Sequence, residues 1–330
     1  MGTHRSKLCD HTVIGISISE SEDLLAHGFG REHLREIFFA LCRSILRRTG
    51  DLAYGGHFQR ESFTRELIQL ISAEQEEGTA DSRPWIGKLY NHSPWPYYLD
   101  ITPEVEADWI DSCKFIRITQ EMAGFEAREI LPGAEAGVSS LRIAFNKAVV
   151  LTAMRRLMVE GIEITEARAL KKNIRVNARV ILGGPTTQFT GIMPGIFEEA
   201  LFALECRGRR PLYVLGGFGG AAGCLTRYLL KSNAARPKEF TLDFYRNEVS
   251  GYATLHEAFE QLRVPPNARR PAEAVDALCR VIEDGRHDLG SLFENGLSHG
   301  DNEKLLRTTD GGEAVTLILR GLEKAKNLKL

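Results

Sequence analysis

The sequence predicts an α/β protein with a mostly parallel sheet covered by helices on both faces and a helical C-terminal region. Three observations point there: short β-branched or continuously apolar runs, helical-period segments between them, and a strand signal that fades after about Ser232. Thr12 to Ser19 is the first strand, a β-branched run that stops at small polar residues, as a buried strand stops at a functional loop. From Arg31 to Arg48 the apolar positions Leu34, Ile37, Phe38, Leu41, Cys42 and Ile45 recur at helical spacing, and Thr49 with Gly50 ends the pattern. Asp51 to Tyr54 is a second short strand, stopped by Gly55 and Gly56, and Phe63 to Ile71 returns to the helical period after a cap at Ser62.

Beyond Gly78, Trp85 to Tyr90 is expected as a strand and Asn91 to Pro96 as a loop, since its prolines exclude a helix. Cys113 to Thr119 alternates as a strand, Met122 to Gly137 is irregular, and Ser139 to Val159 is a long helix that carries Arg142 and Arg155. Ala178 to Leu182 and Leu212 to Leu215 are apolar strands, each followed by paired glycines and then a helix, Ile196 to Leu204 and Ala221 to Leu230. Past Ser232, Tyr252 to Leu262, Ala272 to Glu283, Asn302 to Thr308 and Gly312 to Ala325 are helical, with Pro265, Pro266 and Pro271 between them. The expected division is a sheet domain over 1–235 with a helical region over 236–330 packed on it.

A chain of 330 residues with 43% hydrophobic and 26% charged residues folds around a sizeable core, which excludes disorder and fibre. Lys plus Arg at 42 against Asp plus Glu at 44 leaves a net charge of −2, so no global field draws the chain to nucleic acid or an anionic membrane. Neither is expected as a partner, and any anion site must be local. Cys9, Cys42, Cys113, Cys206, Cys224 and Cys279 form no CxxC pair and are expected as reduced thiols. The N-terminal apolar run is too short for a signal peptide and no stretch approaches about 18 apolar residues, so the cytoplasm is the expected compartment. No Ser-His-Asp order, HExxH or Walker loop is present, and no metal is expected.

Parallel α/β sheets place ligands at the C-terminal edges of their strands, where helix N-termini offer free amides. This chain loads four such edges: Ser17, Ser19, Glu20 and Ser21; Gly55, Gly56 and His57; Gly183 and Gly184; and Gly216, Gly217, Gly219 and Gly220 with Phe218 among them. A single glycine pair serves a tight turn, whereas the joint occurrence favours a phosphate, because absent side chains let backbone N–H groups approach an anion. The run VLGGFGGAAG from Val214 to Gly223 has GxGxxA spacing with Glu239 about twenty residues on. It follows the last strand rather than the first, which argues against a dehydrogenase. In GGPTTQFTGIMPGIFEEALFAL, Pro194 suits a first helical turn, Gly195 leaves amides open, and Glu198 and Glu199 fall in that turn. A carboxylate beside a phosphate cradle binds a ribose hydroxyl or acts as acid or base at a glycosidic bond; otherwise it compensates the helix dipole. Arg142 and Arg155 are candidates to pair with Glu198 or with a phosphate, and Trp85, Trp95, Tyr97 and Tyr98 to stack on a base.

Together GISISESEDLLAHGF, LAYGGHFQRESFT, LTAMRRLM, GG…MPGIFEEALFAL, PLYVLGGFGGAA and NGLSHGDNEKLLRTTDGGEAVTLILRGL resemble a branch of the SLOG superfamily, the SMF/DprA and LOG proteins. The resemblance covers most of the chain. It implies a Rossmann-like fold that binds nucleotides or signals derived from NAD or ADP-ribose in bacterial conflict systems, with an effector protein as partner and a homo-oligomeric state. LOG enzymes are phosphoribohydrolases with a PGGxGTxxE signature. Here Gly183 and Gly184 are separated from Pro194, Gly195, Glu198 and Glu199 by an insertion, so the glutamates are retained while the phosphate loop is split. Two functions follow: a nucleotide sensor, with phosphates on amides near Gly55, Gly56, Gly217, Gly219 and Gly220 and sugar contacts from Ser17, Ser19 and a glutamate; or a nucleotide N-glycosidase with Glu198 or Glu199 as catalytic carboxylate and Arg142 as its partner. Neither requires a cofactor beyond the nucleotide ligand.

Overall fold

A computed structural model describes residues 12–48, 50–56, 58, 62–76, 87–133, 138–165, 171–206, 208, 210–231 and 235–327. Eight strands run through them: β1 (Val13–Ser19), β2 (Asp51–Tyr54), β3 (Leu89–Pro94), β4 (Cys113–Ile118), β5 (Ile162–Thr165), β6 (Lys171–Ile174), β7 (Ala178–Gly183) and β8 (Leu212–Leu215). Six of them form one parallel sheet in the order β4-β3-β2-β1-β7-β8, and β5 with β6 makes a separate antiparallel hairpin. The helices are α1 (Arg31–Leu46), α2 (Phe63–Glu76), α3 (Pro103–Asp108), α4 (Ser140–Glu160), α5 (Gly195–Glu205), α6 (Gly220–Leu230), α7 (Leu242–Glu248), α8 (Tyr252–Gln261), α9 (Pro271–Gly285), α10 (Leu289–Phe293), α11 (His299–Arg307) and α12 (Gly311–Asn327). The architecture is Rossmann-like α/β with a helical C-terminal region.

Side chains alternate along a strand, so a sheet buried on both faces needs apolar residues at successive positions. Ile14, Ile16, Ile18, Val180, Leu182, Tyr213 and Leu215 pack on the face covered by α1, α2 and α12. Val13, Ile181, Leu212 and Val214 pack on the opposite face, against α4, α5 and α6 and, beyond them, α8 and α9. The C-terminal helices therefore divide between the two faces. They are tied to the sheet at Asn295, whose Nδ2 donates to the Leu212 carbonyl at 2.7 Å and whose Oδ1 accepts from the Leu297 amide at 3.1 Å. The Tyr213 hydroxyl completes the joint by donating to the Asn295 carbonyl at 2.8 Å.

The expected strands at Asp51 to Tyr54 and Leu212 to Leu215 have the observed bounds, and the others shift by a residue or two, with one exception. The stretch from Asn91, expected as a loop, belongs to β3, which runs on to Pro94. Its residues Asn91, His92 and Ser93 are fully buried, so the usual apolar signature of a central parallel strand is missing there. Pro94 stands at the strand end, where a missing N–H is tolerated. Trp85 lies outside the described residues. The short helices α3, α7 and α10 had no counterpart in the periodicity because each is too brief to complete two turns, and the hairpin β5–β6 had none because its strands are largely polar and exposed.

Asn295→Ala leaves the Leu212 carbonyl and the Leu297 amide buried without partners, and we expect a stability loss of about 2–4 kcal/mol in urea unfolding. Tyr213→Phe, which deletes one donor, should cost about 1 kcal/mol.

Candidate functional site

The sheet order reverses between β1 and β7: the chain moves outward from β1 through β4 on one side, then returns to the other side of β1. At such a reversal the connections leave in opposite directions and a crevice opens beyond the strand ends. A cavity of about 530 Å³ occupies that position, bounded by the ends of β1 and β2, the start of α2, the 185–190 loop and the start of α5. Its lining mixes hydroxyls (Ser17, Ser19, Ser62, Thr64, Thr190), charges (Glu20, Arg31, Arg155, Glu199) and aromatic rings (Tyr54, Phe63, Phe189).

Its floor is a buried ionic network. Arg179 on β7 points into the α4–α5 face and donates through Nη1 to Ser17 Oγ at 2.8 Å and to Glu199 Oε2 at 3.0 Å. Arg155 on α4 bonds to Glu198 and lies 3.8 Å, Nε to Oε1, from Glu199. Thr152, one turn earlier on α4, donates its hydroxyl to Glu198 at 2.6 Å. Two guanidiniums thus face two carboxylates, so the cluster carries no net charge and its burial is sustainable only while all four are present. Burial pushes the Glu198 carboxyl above its ordinary value, against the pull of Arg155 and Thr152. Burial likewise draws Arg179 down, opposed by Glu199. His92 on β3 is held neutral by burial, its imidazole pushed down to about 3.

The walls are set by neighbouring elements. Arg31 at the start of α1 reaches Glu20 at 3.4 Å and Glu66 of α2 at 3.5 Å, and lies over the Phe63 ring. The Tyr54 hydroxyl donates to the Ile18 carbonyl at 3.1 Å and ties β2 to β1. Phe189 leans on Tyr245 and Tyr252, whose hydroxyl donates to the Ile192 carbonyl at 2.6 Å. The C-terminal region therefore braces the loop that forms one wall.

Of the residues singled out from the sequence, Ser17, Ser19, Glu20, Gly55, Gly56, Gly195 and Glu199 line the cavity. Glu198 lies behind Glu199, fully buried. Arg142 does not reach either carboxylate: it sits at the start of α4 and donates to the Glu129 carbonyl at 3.4 Å, while Arg155, three turns on, takes the place beside Glu198. Both are on one helix, and only packing decides which turn meets α5. Gly195 is crossed by the Arg155 guanidinium, since a Cβ there would lie 2.6 Å from Nη2. His57 lies outside the described residues.

The remaining glycines serve the chain itself. Gly183 and Gly184 adopt left-handed φ of 63° and 88°, and Gly184 donates its amide to the Ser19 carbonyl and accepts from the Ala221 amide. Gly217 lies beneath the carbonyls of Arg307 and Thr308, which leave no room for a Cβ. Phe218 is buried against Phe29 at 5.0 Å between centroids. A Cβ on Gly219 would meet His27 and Asp23, and the Gly220 amide donates to Asp23 Oδ1 at 2.8 Å. The turn after β8 is therefore covered from within, and none of these four residues lines the cavity. Arg31, Thr64 and Arg179 were not singled out beforehand. Arg179 did have a signal, a charge set in the apolar run ARVIL.

Arg179→Met removes the nearer of the two guanidiniums beside the buried Glu199 and leaves Arg155 at 3.8 Å, and we expect about 3–5 kcal/mol of destabilisation by equilibrium urea denaturation. The pair Arg179→Met with Glu199→Leu should recover at least about half of that loss.

No curated protein and no solved structure matches the chain. A family model described as SLOG cluster2 matches residues 8–305, which takes in the sheet, the cavity and the C-terminal helices through most of α11. The chain therefore belongs to the SLOG cluster2 family.

Proposed function

We propose that the crevice binds a nucleotide-derived ligand of the NAD or ADP-ribose class, and that the protein senses such a signal in a bacterial conflict or defence system. The observation that supports ligand binding is the polar lining of the cavity: the hydroxyl residues Ser17, Ser19, Ser62, Thr64 and Thr190 stand with Arg31 and Arg155 around one open space. Hydroxyl and guanidinium donors gathered around one concave space favour an acceptor-rich guest. The volume suits a mononucleotide or half of a dinucleotide. Family membership supports the same class of ligand.

On this reading phosphate oxygens lie at Gly55 and Gly56 and at the start of α2, where Ser62, Thr64 and Arg31 converge at a helix N-terminus. Ser17 donates to the sugar, since its oxygen already accepts from Arg179 and its proton is left over. Ser19 and Glu199 complete the ribose contacts, and Phe63 or Phe189 offers a ring to the base. An effector protein and further copies of this chain are the partners this reading expects, with no cofactor beyond the ligand.

A second reading is favoured by the placement of Glu199. It alone of the two glutamates lines the cavity; Arg179 orients it from beneath and Arg155 flanks it at the cavity surface. A carboxylate so held can take a proton from water as the water attacks the anomeric carbon and the base departs, which is nucleotide N-glycosidase chemistry.

Calorimetry with ADP-ribose, NAD and AMP should give saturable binding by at least one of them, weakened at least about tenfold by Arg31→Gln at the cavity wall; no binding by any would remove the ligand reading. Chromatography of the same mixtures separates sensor from enzyme. Released base that disappears in Glu199→Gln, with binding retained, establishes the glycosidase; tight binding without turnover establishes the sensor.

A further inference from the structure

The loop between β1 and α1 meets the turn after β7 and sets a carboxylate against its amides. Glu22 Oε1 accepts from the amides of Thr187 at 2.8 Å and Gln188 at 3.0 Å and from the Thr187 hydroxyl at 2.6 Å. Its Oε2 accepts from the Thr186 amide at 3.1 Å. Three consecutive backbone N–H groups and a hydroxyl converging on one carboxylate form an oxyanion cradle. The turn that builds it adjoins the cavity, because Pro185, Gln188, Phe189 and Thr190 are cavity walls. Among the described residues no cation pairs with Glu22, and the cradle supplies four of the donors to its carboxylate.

We infer that the Thr186–Gln188 turn is a phosphate subsite that the chain keeps filled with its own Glu22, so that an anionic ligand gains it only by displacing that carboxylate. The subsite extends the nucleotide reading above and rests on it for the ligand's identity, though not for the anion chemistry. Displacement needs only a side-chain rotation. Asp23 is bonded to the Gly220 amide at 2.8 Å and Leu24 is buried, so the loop is anchored directly after Glu22. Glu22 itself is exposed, so its released carboxylate passes to water without a burial cost. Although partial burial opposes it, the Thr187 and Thr186 donors hold the Glu22 carboxyl below its ordinary range, which keeps it ionised and competitive near neutral pH.

An internal competitor lowers apparent affinity by the fraction of time it leaves the cradle open. Inorganic pyrophosphate is the probe, titrated calorimetrically into the full chain at fixed ionic strength. Glu22→Ala should bind it at least about tenfold more tightly than the wild type. Loss of one negative charge would also favour an anion in a general way, so Thr187→Val is added to Glu22→Ala; if the cradle holds the probe, most of the gain disappears. Equal affinity in wild type and Glu22→Ala overturns the inference, and so does a gain that survives Thr187→Val. Thermal melts confirm that both variants fold. Parallel titration with ADP-ribose, NAD and AMP keeps the two readings apart. A pyrophosphate gain without nucleotide binding retains the subsite and removes the nucleotide; nucleotide binding unchanged by Glu22→Ala does the reverse.

Discussion

Two arginines and two glutamates under the crevice are the constraint on which the rest of the site depends. Any one of these charges, alone in that interior, would cost several kcal/mol. Together they draw β7, α4 and α5 into one arrangement, because Arg179, Arg155 and the Glu198–Glu199 pair each come from a different element. Ser17 extends the network to β1 and Thr152 locks the Glu198 end. The result is a rigid polar floor, with Glu199 and Arg155 at its upper surface and Glu198 and Arg179 beneath. Such preorganisation suits either tight recognition or chemistry at a sugar, since the groups that touch a guest are already oriented by groups that do not.

The C-terminal helices shape the crevice as much as they cover the sheet. They cap the turn after β8 with the carbonyls of Arg307 and Thr308, and they brace the 185–192 loop through Tyr245 and Tyr252. Acidic residues after β1 complete the effect: Glu22 fills the amide cradle at Thr186–Gln188 and Asp23 caps the start of α6. The β7 and β8 edges, rich in glycine, are thereby consumed internally, and the open side of the crevice lies over β1 and β2. A Rossmann-like sheet offers several anion-competent edges, and here the chain selects among them by occupying the others.

Much of this was legible in the residues alone. Strands such as Leu212–Leu215 and helices such as α1 and α9 declare themselves, because each must bury a continuous or periodic apolar surface. The exception, β3, is polar at Asn91, His92 and Ser93, so its place between β2 and β4 has no local signature. The clustering of Ser17, Ser19, Glu20, Gly55 and Gly56 at strand ends with Gly195 and Glu199 at the start of α5 was also visible, since the parallel α/β rule puts strand ends and helix starts on one side. Arg142 and Arg155 could not be told apart, for both lie on α4 and a helix offers every turn equally until a neighbour is packed against it.

The sequence by itself determined the class of fold, the family and the half of the crevice built by β1, β2 and the start of α5, because local propensity and apolar period are properties of short segments. Only the tertiary structure decided which glutamate meets the cavity, which arginine holds it, and which glycine-rich turns are sealed by the chain's own carbonyls and carboxylates. Those outcomes hang on contacts between residues as far apart as Glu22 and Thr187, or Gly217 and Thr308. A donor's partner is set by distance in space, and spacing along the chain carries no record of it.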